Sequence, residues 1–464
     1  MGVSRLTYIF VPMFFLTGMA VSWAEEKIPM LSPLEVLQLI EANGAHAFAV
    51  ADADISIAQA RLEQAKSALH PSLTLNSTGQ IYQSTQKNND NAEIYGDLEV
   101  VKSIYDFGKK SIEIDAAGYD MEAAQQALTT AKNVVLLEGL ALFYNLHASE
   151  LQLRAYNEIH ASAYVRWDRA KEKHGLGRTG PIEVSKALMA VEKTRLDYYR
   201  ERTLNISYRI RLEELINQSL PEELISPPPP PKRPPYKADR EEFIKLVMLR
   251  NPEIVALLKQ AKAKGLRRSA ITSMPSVEAF GNVGHSSREV SGRNEYSVGA
   301  RMSWKVFDGG LKWAQRNRLA AEESRINAHM EIKRRQLRQK AHFIFMNRAD
   351  VFQSVISARA ELDYTQKKML RRQQLYSLER VTDLARAMVE NTQAEAALIR
   401  ATGAYQLESA NIAILLGDHP SKGLEDDYLI SVMGPKKVPT EGYVPKSGSG
   451  FGQDDQNKIN KNTE

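Results

Sequence analysis

The chain has 464 residues, 43% hydrophobic and 25% charged, with a mean hydropathy of −0.37. That average excludes a polytopic helical membrane protein, whose every span takes about 20 consecutive apolar residues, and so much apolar side chain excludes a mostly disordered one. A net charge of +5, from 61 basic and 56 acidic residues well mixed along the chain, does not point to nucleic acid, and the absence of cysteine removes disulfides, Cys–zinc sites, thiol catalysis and a lipidated N-terminal Cys.

At the N-terminus, Met1 to Arg5 is short and positively charged, and Leu6 to Val21 is apolar. Ser22-Trp23-Ala24 then sets small residues at the −3 and −1 positions, ahead of Glu25-Glu26-Lys27. This anatomy predicts a cleavable secretory signal over 1–24, with the mature chain starting at Glu25; the other reading is an uncleaved anchor helix.

The rest reads as a tandem duplication. Ser67 to Leu73 is matched by Ile271 to Val277 at an offset of 204 residues, and Tyr105-Asp106-Phe107-Gly108 by Phe307-Asp308-Gly309-Gly310 at 202. Pro181 to Ala187 is matched by Val381 to Ala387 at 200. The first repeat is placed at 25–225 and the second at 238–433. Between them, 226–237 holds seven prolines in nine residues, an extended spacer rather than helix or central strand. The tail from 434 to 464, rich in Gly, Lys, Asn and Asp, is expected to be disordered.

Each repeat reads as helix, two strands, then two long helices. In the first helix Ile55, Ala58, Leu62, Ala65 and Leu69 follow 3-4-3-4 spacing, and Pro71 is expected to end it. Leu73, Leu75, Ser77, Gly79 and Ile81 alternate with polar residues, which is strand periodicity. Strands are predicted at about 72–86, 94–106, 276–288 and 295–307. In the last, Tyr296, Val298, Ala300, Met302 and Trp304 share one face, and Ser297, Gly299, Arg301, Ser303 and Lys305 the other. Strands of this length can cross a bilayer when tilted. An open four-stranded sheet would leave unpaired edges in lipid, and four strands cannot close a barrel. Periodicity alone leaves two readings: strands from several chains sharing one barrel, or a soluble sheet packed on the helices.

Long helices are predicted at about 108–173, 182–217, 311–376 and 383–416. Narrow Ala-rich stripes run along them: Ile112, Ala116, Tyr119, Ala123, Ala127, Ala131 and Val134 in the first, and Ala387, Asn391, Ala394, Leu398, Ala401 and Tyr405 in the last. Such stripes on otherwise polar helices suit close-packed coiled coils with two wet faces, hence a hollow assembly.

These features together resemble the TolC family of outer-membrane efflux and secretion channels, in its unlipidated branch. The motifs that carry the resemblance are the duplicated plan, Tyr-Asp-Phe-Gly-Lys at 105–109 and Phe-Asp-Gly-Gly-Leu-Lys at 307–312 at the strand-to-helix junctions, and Leu-Leu-Gly at 415–417. The resemblance implies a mainly α fold with a β-barrel portion. Three chains would pool four strands each into a twelve-stranded outer-membrane barrel, joined to a helical tunnel crossing the periplasm of a Gram-negative cell. It also implies a homotrimer whose barrel meets outer-membrane lipid through Tyr296, Val298, Met302 and Trp304. Its partners would be a periplasmic adaptor and an inner-membrane pump of the ABC or RND type, with no cofactor, metal or nucleic acid.

The resemblance also places a gate at the helical turns. Asp383 matches the family's constriction Asp; three residues on, where a second Asp is common, stands Arg386. Tyr376 and Arg380 match the gate Tyr and Arg, and Glu183 stands at the corresponding Asp position of the first repeat. Gly175 and Gly177 mark the first tip as adaptor contacts, whereas Leu378-Glu379 replaces the tip glycine of the second. Asp383 and Arg386, one turn apart, are expected to pair as i and i+3 within each helix and across chains, giving a mixed ring where an all-acidic one would favour cations.

A search for catalysis finds little. The nine histidines form no His-x-x-x-His pair, and Gly-x-x-x-x-Gly-Lys-Ser/Thr and Gly-x-Ser-x-Gly are absent. The basic run Lys333 to Lys340 reads as a solvated helix face. The expected function is a passive export duct for drug efflux or type I protein secretion. The competing reading is a soluble periplasmic coiled-coil scaffold without a pore.

Overall fold

The computed structural model describes residues 31–84, 87–220, 231, 239–287, 294–378, 383–425 and 428–433. The expected signal segment, all but Pro231 of the proline-rich spacer and the tail lie outside them. The first repeat runs α1 (Pro33–Asn43), α2 (Ala45–Ser67), β1 (Ser72–Ser84), β2 (Lys87–Tyr105), α3 (Lys109–Gly175) and α4 (Pro181–Ile216). The second runs α5 (Arg240–Arg250), α6 (Pro252–Ala270), β3 (Ser276–Ser286), β4 (Asn294–Ser303), α7 (Leu311–Ser377) and α8 (Leu384–Leu415). Two short helices follow, α9 (Pro420–Gly423) and α10 (Tyr428–Met433).

Local chemistry sets these boundaries. Ser32 and Glu35 form a reciprocal capping box at α1, with Pro33 at its first position. Asn251 accepts from Glu253 N at 3.1 Å before Pro252 and starts α6 in the same manner. The single helix expected at the start of the first repeat is two, broken at Gly44. A Cβ there would lie 2.5 Å from the Ile40 carbonyl and 2.6 Å from that of Leu215, so only glycine fits. α2 ends at Ser67, ahead of Pro71, whose ring disfavours helical backbone at His70.

The junction motifs explain how strand becomes helix. Asp106 accepts from Gly108 N at 3.0 Å and Lys110 N at 2.9 Å; Asp308 accepts from Gly310 N at 3.1 Å and Lys312 N at 3.0 Å. Each carboxylate meets orphan donors at a helix start. The turn needs two successive left-handed residues, Phe107-Gly108 in one repeat and Gly309-Gly310 in the other.

The four strands form one antiparallel sheet in the order β1-β2-β3-β4. β2 starts at Lys87, earlier than alternation indicates, because its first residues pair with the end of β1. β4 stops at Ser303, so Trp304 to Phe307 lie beyond the strand rather than within it.

The helices bury two clusters. Leu136, Leu140, Phe143 and Leu146 of α3 pack with Val36, Leu37 and Ile40 of α1, Leu212 and Ile216 of α4, and Ile399 and Ala410 of α8. Each of these Val, Leu, Ile and Phe side chains contributes about 1.5–3 kcal/mol of apolar burial. The Ala-rich stripe of α3 is buried at Ala116 and Ala123, but Val134 is 61% exposed because the core moves to the face carrying Leu136. The second cluster joins Phe243 and Val247 of α5, Ile344 of α7, and Ile412 and Leu415 of α8. α8 thus contributes to both cores. α6 lies between the long helices: Arg267 reaches Glu113 at 2.8 Å and Asp120 at 2.5 Å on α3, and Lys264 reaches Glu322 at 2.8 Å on α7.

Candidate functional site

Two regions hold the residues singled out by sequence: the sheet and the two helical tips. In the sheet, register puts Tyr296, Val298, Ala300 and Met302 opposite Val283, Gly281, Ala279 and Val277 of β3. Directly opposed residues share a face, and the same face continues through Val100 and Leu98 of β2 to Leu73 and Leu75 of β1. Tyr296 is 73% exposed, Val298 89% and Met302 67%. Trp304, just past the strand, is also exposed, and its Nε1 donates to the Ser273 carbonyl at 2.7 Å. The other face is polar: Asn76 donates to Asp97 at 3.2 Å, and Arg301 lies 3.7 Å from Glu99 and over the Phe280 ring.

At the first tip α3 runs through His174 to Gly175, so Gly175 closes the helix instead of belonging to the turn. Gly177 takes φ +67, with Gly177 N on His174 O at 2.9 Å and Arg178 N on Lys173 O at 2.8 Å. This is a Schellman closure, and the left-handed position is why a glycine stands there. Gly180 and Pro181 then start α4, with the exposed Glu183 in its first turn, where a carboxylate suits the helix dipole.

At the second tip Tyr376 is exposed in the last turn of α7, and Arg380 lies outside the described residues. Asp383 is the exposed N-cap of α8; its side chain caps nothing, while its carbonyl accepts from Ala387 N at 3.2 Å. Within the helix, the expected Asp383–Arg386 pair does not form. Arg386 Nε pairs with Glu390 at 3.2 Å, one full turn in the other direction, and Lys368 of α7 holds the same carboxylate. Glu390 is thus bracketed by two cations, one from each helix of the pair. The Lys368 hydrogen bond, with Arg386 beside it, holds the Glu390 carboxyl below the usual carboxylate range. Sequence reasoning missed Glu390 and Lys368, although the i to i+4 spacing of Arg386 and Glu390 carried the signal.

The basic run on α7 is a charged helix face in part neutralised locally: Lys333 meets Glu253 at 2.7 Å and Arg334 meets Glu331 at 2.6 Å. Among the described residues no group of three or more His, Asp or Glu is placed to hold a metal ion.

Residues 37–218 match the outer membrane efflux protein family. No curated protein matches the chain by sequence. Its fold is similar to that of the CmeC outer membrane channel of Campylobacter jejuni, at 15% identity and a TM-score of 0.67 over 92% of this chain and 97% of that one. It is also similar to the outer membrane protein VceC of Vibrio cholerae, at 14% identity and 0.61 over 84% and 97%. The open-state MtrE outer membrane channel of Neisseria gonorrhoeae aligns at 17% and 0.62 over 85% and 90%. At these identities the likeness speaks for the fold: long paired helices with four strands per chain.

Proposed function

We infer from the match of residues 37–218 to the outer membrane efflux protein family that the chain forms a passive outer-membrane efflux channel and not an enzyme. We propose further that it is a homotrimer serving as the exit duct of a tripartite export system, with a periplasmic adaptor and an inner-membrane ABC or RND pump. The observation that carries this reading is the sheet. One face is apolar and exposed from β1 to β4, the other is polar, and both edge strands lack a partner within the described chain. Lipid does not tolerate unpaired edges. With four alternating strands per chain, β4 of one copy meets β1 of the next in antiparallel sense, and three copies reach the strand number that four alone cannot. The polar face then lines the lumen.

In this duct Tyr296, Val298, Met302 and Trp304 face lipid. The tips form the periplasmic gate, with Asp383, Arg386, Tyr376, Arg380 and Glu183 at the constriction and Gly175 and Gly177 towards the adaptor. Cell fractionation tests the reading, and recovery of the wild type only from the soluble periplasm overturns it. Val298→Asp sharpens the test, because a charge on the lipid face costs about 2–4 kcal/mol near the midplane for a basic residue and less for an acid. The variant is expected to be lost from the outer membrane. Normal insertion of that variant would mean the face meets no lipid.

A further inference from the structure

The internal duplication supplies its own control experiment. α7 begins and ends 202 residues after α3, so Lys368 stands where Arg166 stands; the matched motifs at 181 and 381 put Arg386 at Lys186 and Glu390 at Ala190. In the second repeat two cations, one from each helix, share the Glu390 carboxylate. In the first repeat the same two cations remain, and the carboxylate between them is an alanine.

The space is still there. A cleft of about 510 Å³ opens between α3 and α4 at this level, with Arg166, Arg169, Lys173, Lys186, Glu183 and Ala190 among its lining. None of the four cations has an ion-pair partner among the described residues, and Glu183 bonds to none of them. The Thr179 hydroxyl also lines the cleft, shielded from solvent and without a hydrogen-bond partner. Arg166 and Arg169 are i and i+3, and Arg169 and Lys173 are i and i+4; like charges at such spacings destabilise a helix. Lys173 lies in the last turn, where the helix dipole favours a cation, but Arg166 and Arg169 lie beyond its reach. Among the residues lining the cleft, Glu183 alone leaves this charge unneutralised.

We propose that this cleft binds a phosphate group, free or as a monoester, which takes the place of the missing carboxylate. The four cations exceed the one acid by three charges, more than a monocarboxylate balances. Two guanidinium forks match the oxygens of a tetrahedral dianion, and the Thr179 hydroxyl adds a neutral donor. The site stands on the cleft alone and does not require a pore. A protein that binds phosphate but conducts nothing would sink the channel reading and leave this one, and the converse outcome would do the reverse.

Calorimetric titration of the purified full-length protein with inorganic phosphate, and in parallel with glycerol phosphate, tests the proposal. We expect saturable binding that weakens as salt is added. Ala190→Glu supplies the carboxylate in place and should abolish binding while leaving the fold intact. Lys186→Gln, milder still, should weaken binding about tenfold, the loss of one charge-assisted bond. Glu390→Ala should create a second site of the same kind in the other hairpin. A tighter monoester assigns an ester ligand, and equal affinities assign the bare group. Absence of saturable binding, or binding that Ala190→Glu leaves unchanged, overturns the proposal.

Discussion

α3 and α7 are equal in length and equivalent in position, yet they live in different surroundings. α3 carries Leu136, Leu140, Phe143 and Leu146, all essentially inaccessible; 202 residues on, α7 has Arg338, His342, Phe345 and Arg348. α3 is packed by α1, α2, α4, α6 and α8, whereas α7 meets mainly α5, α6 and α8. The two halves share one backbone plan, yet the two copies of this helix divide the work: α3 is the centre of the chain and α7 its flank. An apolar side chain is retained where neighbours close around it on every side. A charged one is accepted where a face remains open or, as at Arg348, where an aromatic ring lies beneath it at 5.3 Å.

Substitution at paired positions is the most direct way to break this contrast. Phe143→Ala should destabilise by about 3–5 kcal/mol, the range for a fully buried aromatic, and Phe345→Ala, half-buried, by clearly less. Denaturant midpoints of the two variants measure the difference, and equal losses would mean that the flank is as tightly packed as the centre. A second pair lies on the return helices. A Cβ on Gly403 would come within 2.6 Å of the Tyr144 ring, so Gly403→Ala is expected to cost about 1–3 kcal/mol by overpacking. Thr203, its counterpart 200 residues earlier, is exposed, and Thr203→Ala should stay within about 0.5 kcal/mol of wild type.

The tips offer smaller effects that sharpen the same contrast. Arg386→Asp removes a partner of Glu390 and sets a second carboxylate one turn from Asp383. Planar-bilayer recordings should show a more open resting channel with stronger preference for cations, and unchanged conductance and selectivity would place neither residue at the constriction. The smallest effect is one of pH. The Glu390 carboxyl is held below its ordinary range by Lys368 and Arg386, so the stability it lends is present above that range and is lost as pH falls through the lowered value. Ala190 gives the first tip no such group. Hydrogen exchange on acidification should therefore accelerate at the α7–α8 tip more than at the α3–α4 tip; equal acceleration would remove Glu390 as the cause.

How much of this is legible in the sequence depends on the range of the interaction. The strand-to-helix junctions are readable because Asp106 and Asp308 act on residues two and four positions away. The apolar face of β4 is readable because alternation is a property of one strand. The break at Gly44 escapes, since the need for glycine comes from Leu215, on another helix. The Lys368–Glu390 contact escapes for the same reason, because Lys368 enters from α7. The extension of β2 back to Lys87 rests on its partner β1 and leaves no alternation to find. The core at Leu136 to Leu146 is legible as the apolar run from Val134 to Leu146, but which of its faces is buried depends on α1, α4 and α8.

That run has a consequence during biogenesis. α3 is long and apolar enough, by length and composition, to cross a membrane. Part of its cover, Ile399 and Ala410, comes from α8, more than 250 residues later in the chain. In the proposed channel, a polypeptide exported amino end first would present this stretch to the translocon before α8 exists to cover it. From Val134 to Leu146 a single charge interrupts it, Glu138, which in the finished fold lies 2.5 Å from Arg211 at a solvent-exposed site. A surface ion pair of that kind lends little to the folded state. In such transit the same carboxylate would oppose lateral escape into the bilayer, where a charge at mid-helix costs about 2.5–3.5 kcal/mol. Glu138 is thus worth more to the journey than to the destination.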